Sequence, residues 1–172
     1  MQKILTTGYA LTRQLEKEYS VLQDRPTKLN LHYPEHQMII KRFIGQLNEE
    51  LVEWYTAETD EERIDEAADI LNFAMSIMLM LDCEIYELDE DDYPFSGMLK
   101  LFILWNDVSH KLKNRPWKKT QVLTCLETIE PILFEAFNKT IGFLLQHHTE
   151  DEIVNAIESK HKKNLFRLKS NY

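Results

Sequence analysis

An all-α fold, an antiparallel bundle of about five to six helices, is predicted by three features of the sequence. Long segments place apolar residues at three- and four-residue intervals, the period of a helix with one buried face. Strand signals are thin, with four glycines in 172 residues and no Asn-Gly or Asp-Gly pair to turn a hairpin. Two T-x-x-E capping boxes, Thr59 with Glu62 and Thr149 with Glu152, mark helix starts. At this length, with 44% hydrophobic residues, the chain suits one domain spanning residues 1–172.

The elements follow in order. A first helix is predicted from Lys3 to Leu22, stopped by "QDRPT", because Pro26 disfavours helical geometry in the residue before it. After a loop through "NLHYP", a second helix from Glu35 to Ala57 aligns Ile40, Phe43, Ile44, Leu47, Leu51 and Trp54 in one apolar stripe. The third runs from Thr59 to about Leu81. Its "ILNFAMSIMLML" would be about 18 Å long, short of a bilayer core of ~30 Å, so it reads as a buried helix. Beyond Asp69 it is apolar nearly all round, which predicts burial from several sides, a second subunit included, and so a homodimer.

Between Asp82 and Pro94 the seven acids of "DCEIYELDEDDYP" read as a solvated surface loop. A fourth helix is expected from Ser96 to Lys113, and a fifth from Thr120 to Gln146, kinked or divided at Pro131. The last opens at Thr149 and continues toward Phe166.

A net charge of −9 argues against a general binder of nucleic acid or membrane surface, both of which are anionic. "KLKNRPWKK" offers Lys111, Arg115 and Lys118 beside Trp117, a combination suited to single strands, but such a segment is more often an exposed helix end. Cys83 and Cys125 lie far apart, with neither a disulfide framework nor a zinc ribbon, and the N-terminus lacks a signal-peptide layout. A cytoplasmic protein is expected.

From Glu49 to Asp69 the chain carries ten carboxylates against one base, Arg63. Glu49, Glu58, Asp60, Glu61 and Glu62 are explained by solvation and by the favourable field at a helix N-terminus. Four others sit differently. Glu50 and Glu53 are three apart on the second helix, with Glu50 at the edge of the apolar stripe, and Glu66 and Asp69 are three apart on the third, heading a row that continues as Phe73, Ile77 and Met80. A short connection makes these helices antiparallel neighbours, so the pairs can converge. Buried carboxylates need protons, bases or a cation, and an all-carboxylate set suits Mg²⁺, with Mn²⁺ as substitute, better than zinc or copper. A di-iron centre would want two E-x-x-H pairs; only Glu158 and His161 have that spacing. His147 and His148 are adjacent, which on a helix points them apart.

E-x-x-E, twelve residues, E-x-x-D, carried by Glu50, Glu53, Glu66 and Asp69, resembles the signature of the all-α nucleoside triphosphate pyrophosphohydrolases, the MazG-like and dimeric dUTPase superfamily. "FIGQLNEELVEW" and "DEAADILNFAMSIM" look like its two metal-bearing helices, and Asn72 followed by Phe73 looks closer to the dimeric dUTPase and phage dCTPase-dUTPase branch than to MazG itself. The tail "IESKHKKNLFRLKSNY" is similar to that branch at Lys160, Asn164, Arg167 and Tyr172, and departs where His161, Leu168 and Asn171 replace the expected Asn, Gln and Gly. The likeness covers residues 35–82 and 157–172.

The resemblance implies a MazG/dimeric-dUTPase-like bundle that hydrolyses a (deoxy)nucleoside triphosphate, dUTP or dCTP, to the monophosphate and pyrophosphate, in the host cytoplasm if phage-encoded. Glu50, Glu53, Glu66 and Asp69 would hold Mg²⁺, and Glu53, supported by Glu49, would orient or deprotonate the attacking water. Lys160, Asn164, Arg167 and Tyr172 would bind phosphates. Independently of the family, Lys160, Lys163 and Arg167 make a basic helical face suited to phosphate oxygens. Gln14, Asn72 and Trp54 are base-pocket candidates, although the core reading of Trp54 takes precedence. The alternatives are a broad MazG-like house-cleaning enzyme and a non-catalytic helical module whose acids pair with a partner's basic patch.

Overall fold

The computed structural model describes residues 1–85, 87, 97–112 and 126–170. These residues form six α-helices: α1 (Gln2–Leu22), α2 (Pro34–Thr56), α3 (Asp60–Met80), α4 (Met98–Lys111), α5 (Glu130–Leu145) and α6 (Glu150–Lys169), with a 3₁₀ turn at Leu126–Thr128 before α5. No strand occurs among them. Both capping boxes form: the hydroxyl of Thr59 accepts from the Glu62 N–H at 3.1 Å while the Glu62 carboxylate accepts from the Thr59 N–H at 3.0 Å, and Thr149 and Glu152 repeat the exchange.

α3 is the axis of the bundle. α2 packs most extensively against it, α1 and α6 flank it, α5 touches it, and α4 lies across α5 and α2. From Ile70 onward most of its residues are fully buried, among them Leu71, Ala74, Met75, Ile77, Met78 and Met80. Its apolar circumference is therefore covered within one chain, so the all-round apolarity gives no indication of a second subunit. α1 packs closely on α3 at Gly8, where a Cβ would lie 2.5 Å from Met75 Sδ and Cε and would oblige the flexible end of that side chain to shift. The end of α3 is capped from outside, since Lys28 Nζ donates to the Leu79 carbonyl and the Leu29 N–H to that of Met80.

Of the two expectations near Pro131, division holds and a kink does not: a 3₁₀ turn at Leu126–Thr128 precedes α5, and Pro131 sits in the first turn of α5, where its missing N–H is one the helix leaves unpaired anyway, while Thr120–Cys125 lie outside the described residues. α6 runs on to Lys169, beyond the expected Phe166. Most of the acidic stretch and of "KLKNRPWKK" lies outside the described residues. No helix among the described residues is long and apolar enough to cross a membrane.

Candidate metal centre and adjoining cavity

A three-residue link, Ala57 to Thr59, folds α3 back along α2, so that Glu50 and Glu53 on one helix meet Glu66 on the other. One ligand oxygen from each lies within 4.8 Å of the others, a grouping that could hold a metal ion. Glu50 and Glu66 are half-buried and Glu53 is exposed.

The electrostatics follow from the crowding. Burial, then the charge of Asp69, then a hydrogen bond shared with Glu66 push the Glu50 carboxyl up to about 8. Burial also raises Glu66, outweighing its bond to Glu50 and the pull of Lys160. Both shifts favour the protonated form, so the crowded cluster resists carrying its full negative charge. A hard divalent cation would offset the same charge, and an oxygen-only donor set is the kind such an ion takes.

Asp69 is placed differently from the other three. It lies close enough to raise Glu50, but its own oxygen is 2.5 Å from Lys160 Nζ. That ammonium is shared with Asp65 at 2.8 Å, and Lys163 Nζ reaches Asp65 at 3.2 Å. Burial acts to raise both aspartates; it prevails at Asp69, whereas the two lysines hold Asp65 below the ordinary aspartate value. Glu49 is exposed, away from the buried stripe of α2.

Behind Asp69 opens a cavity of about 250 Å³. Phe43 and Phe73, edge to face with centroids 5.8 Å apart, form one wall. Arg42, Gln46, Asn72 and Asn164 bring polar atoms to it. A buried ion pair also lines it: Arg25 donates to Glu16 at 2.6 Å and lies over the Phe43 ring. Asn72 accepts from the Thr12 hydroxyl at 3.5 Å, and its Nδ2 is buried without a well-formed hydrogen bond, near enough to Asp69 to favour that carboxylate's charge.

The predicted residues thus divide. Glu50, Glu53 and Glu66 meet, Asp69 borders both cluster and cavity, Asn72 and Asn164 line the cavity, and Lys160 bridges to the acids. Arg167 is exposed on α6, and Tyr172 lies outside the described residues. Gln14 does not line the cavity, because its carbonyl accepts from His161 Nε2 at 3.1 Å and ties α1 to α6. Trp54 does not either. It is buried, donates its indole N–H to His148 Nε2 at 3.2 Å, and packs edge-on against Phe143 and His147. The two histidines therefore do not point apart: α5 has ended at Leu145, and in the turn that follows both rings meet the Trp54 indole.

Sequence reasoning missed Asp65, Glu16 and Arg25. Asp65 was legible, being one turn before Asp69 and so on the same face. No local signal pairs Glu16 with Arg25, because the reversal after α1 brings them together. No protein-family model, curated protein or solved structure matches the chain.

Proposed function

We propose that this protein is a Mg²⁺-dependent nucleoside triphosphate pyrophosphohydrolase that cleaves a pyrimidine (deoxy)nucleotide, dUTP or dCTP, to the monophosphate and pyrophosphate. The observation that carries the proposal is the sharing of Asp69. Asp69 lines a ring-sized cavity, lies near enough to the Glu50, Glu53 and Glu66 cluster for its charge to act on Glu50, and is paired with a lysine from a basic helix.

Glu50, Glu53, Glu66 and Asp69 would hold the ion, with Mn²⁺ as a substitute. When bound, Mg²⁺ offsets triphosphate charge and lowers the pKa of a coordinated water. Glu53, the exposed member of the cluster, would orient or deprotonate the attacking water, with Glu49, also exposed, one turn before it in support. The water oxygen attacks the α-phosphorus, the bond from that phosphorus to the bridging oxygen breaks, and pyrophosphate leaves. Lys160, Asn164 and Arg167 on α6 offer donors to phosphate oxygens, with Tyr172 following them in sequence. Phe43 and Phe73 would flank the base, and Asn72 Nδ2 would gain an acceptor from it. A cytoplasmic homodimer is the setting the family resemblance implies.

A second reading, a non-catalytic module, is favoured by one observation: Lys160 already neutralises Asp69 and Asp65. The two are separated by incubating purified protein with Mg²⁺ and a panel of NTPs and dNTPs. Monophosphate and pyrophosphate, lost in Glu50→Ala or Asp69→Ala with circular dichroism unchanged, establish the enzyme. No turnover of any nucleotide and no thermal shift with Mg²⁺ leave the module. Comparable rates across the panel would instead mark a broad house-cleaning activity.

A further inference from the structure

Lys160 and Lys163 are three residues apart on α6, and Asp65 and Asp69 four apart on α3, so both pairs face across one helix contact. The contacts between them are unequal. Lys160 is shared by the two aspartates, at 2.8 Å from Asp65 and 2.5 Å from Asp69, whereas Lys163 reaches Asp65. Asp69 borders the acid cluster and the cavity, and Asp65 belongs to neither. A cation taken up at the cluster therefore competes with Lys160 for Asp69 and leaves Asp65 to the lysines.

We propose that Asp65 is a positioning residue: it keeps Lys160 tethered to α3 when Asp69 turns to a divalent cation, so that the freed part of the ammonium faces the substrate phosphates. The proposal rests on the metal-dependent reading above. Lys160 is well placed for such an exchange, because its side chain is only 12% exposed and has little freedom to swing into solvent. α6 is also anchored by the buried Ile153 and Ile157 and, next to Lys160, by the bond from His161 to Gln14. Lys160 and Lys163 extend that attachment toward the C-terminal half, and both end on Asp65. Without it, two cations would lose a partner and Lys160 would be held by the very carboxylate the metal claims.

The test compares wild type, Asp65→Asn, Asp65→Glu and Lys163→Met. Mn²⁺ binding is followed by electron paramagnetic resonance with the metal alone, and the kinetics are measured on the best nucleotide of the panel. Asp65→Asn should bind Mn²⁺ within about twofold of wild type and keep kcat within about threefold, while its KM rises about tenfold, the loss of roughly one charge-assisted contact. Asp65→Glu should restore most of that KM. Lys163→Met, which removes one strap and keeps the carboxylate, should raise KM about threefold and keeps the proposal testable if Asp65→Asn does not fold. An unchanged KM in Asp65→Asn or, if it does not fold, in Lys163→Met, a parallel loss of Mn²⁺ affinity, or no recovery in Asp65→Glu overturns the role of Asp65 alone. A wild type that neither binds Mn²⁺ nor turns over nucleotide overturns the metal-dependent reading and this proposal together.

Discussion

Glu50→Gln removes one ionisable oxygen from the acid cluster while keeping the size of the side chain and giving Glu66 an amide to accept from. In the wild-type protein the Glu50 carboxyl is raised from 4.5 to about 8, chiefly by burial. Between those values the folded chain holds a proton that the unfolded chain releases. Stability from this group is greatest below about pH 4.5, falls as pH rises toward 8, and levels off above it. At ~1.4 kcal/mol per pH unit, a span of about 3.5 units bounds the loss at ~5 kcal/mol. Glu50 is only half-buried and water screens part of the field, so about 2 kcal/mol is expected. Urea denaturation in EDTA at pH 5, 7 and 8.5 reads this directly. The glutamine variant should match wild type near pH 5 and exceed it by about 2 kcal/mol at pH 8.5, an increase of roughly 4–8 °C in Tm. Adding Mg²⁺ should reverse the order by stabilising wild type alone. Equal stabilities at every pH, or a wild type more stable at pH 8.5 without a cation, would refute the crowding on which the metal site rests.

Further outcomes follow from other parts of the molecule. Glu16→Gln should leave Arg25 buried with its strongest partner weakened and cost about 3 kcal/mol in urea denaturation, whereas a loss below about 0.5 kcal/mol would mean the pair is hydrated. His148 accepts from the Trp54 indole and is held below the ordinary histidine value by burial. Its contribution to stability is therefore present above about pH 6.5 and lost as pH falls through the lower folded-state value. Indole fluorescence should change over that range in wild type, and the change should vanish in Trp54→Phe. Thr59→Ala should cost about 1 kcal/mol by deleting the cap of α3, with the thermal transition as the readout. Gly8→Ala should cost about 1–2 kcal/mol through contact with Met75, and shortening that side chain by Met75→Val in the same chain should recover part of it.

The helical class and its main elements could be read from the chain because capping and apolar periodicity act within a few residues. Thr59 with Glu62, Thr149 with Glu152, and the stripe from Ile40 to Trp54 needed nothing beyond their own segment. The convergence of Glu50, Glu53 and Glu66 was also legible, since a short link forces α2 and α3 to run side by side. At Pro131 the sequence leaves a kink and a division both open, because an interior proline and a first-turn proline carry the same local signal, and only the break before Glu130 distinguishes them. Gln14 lies outside the cavity for a related reason, since a polar side chain on a helix is compatible with a pocket or with a packed contact; for Trp54 the core reading, which took precedence in the sequence, is the one the packing bears out.

By itself, then, the sequence determined the helices, their caps, and which acids share a face, because backbone hydrogen bonds and helical pitch are settled by neighbours three or four positions away. Tertiary structure alone decided which charge each acid meets. Lys160 reaches Asp65 across 95 residues of chain, Glu16 finds Arg25 only through a reversal, and the cavity at Asp69 exists only where four helices and the start of a loop come together. Side-chain partnership and local dielectric depend on packing in space, to which local periodicity is blind.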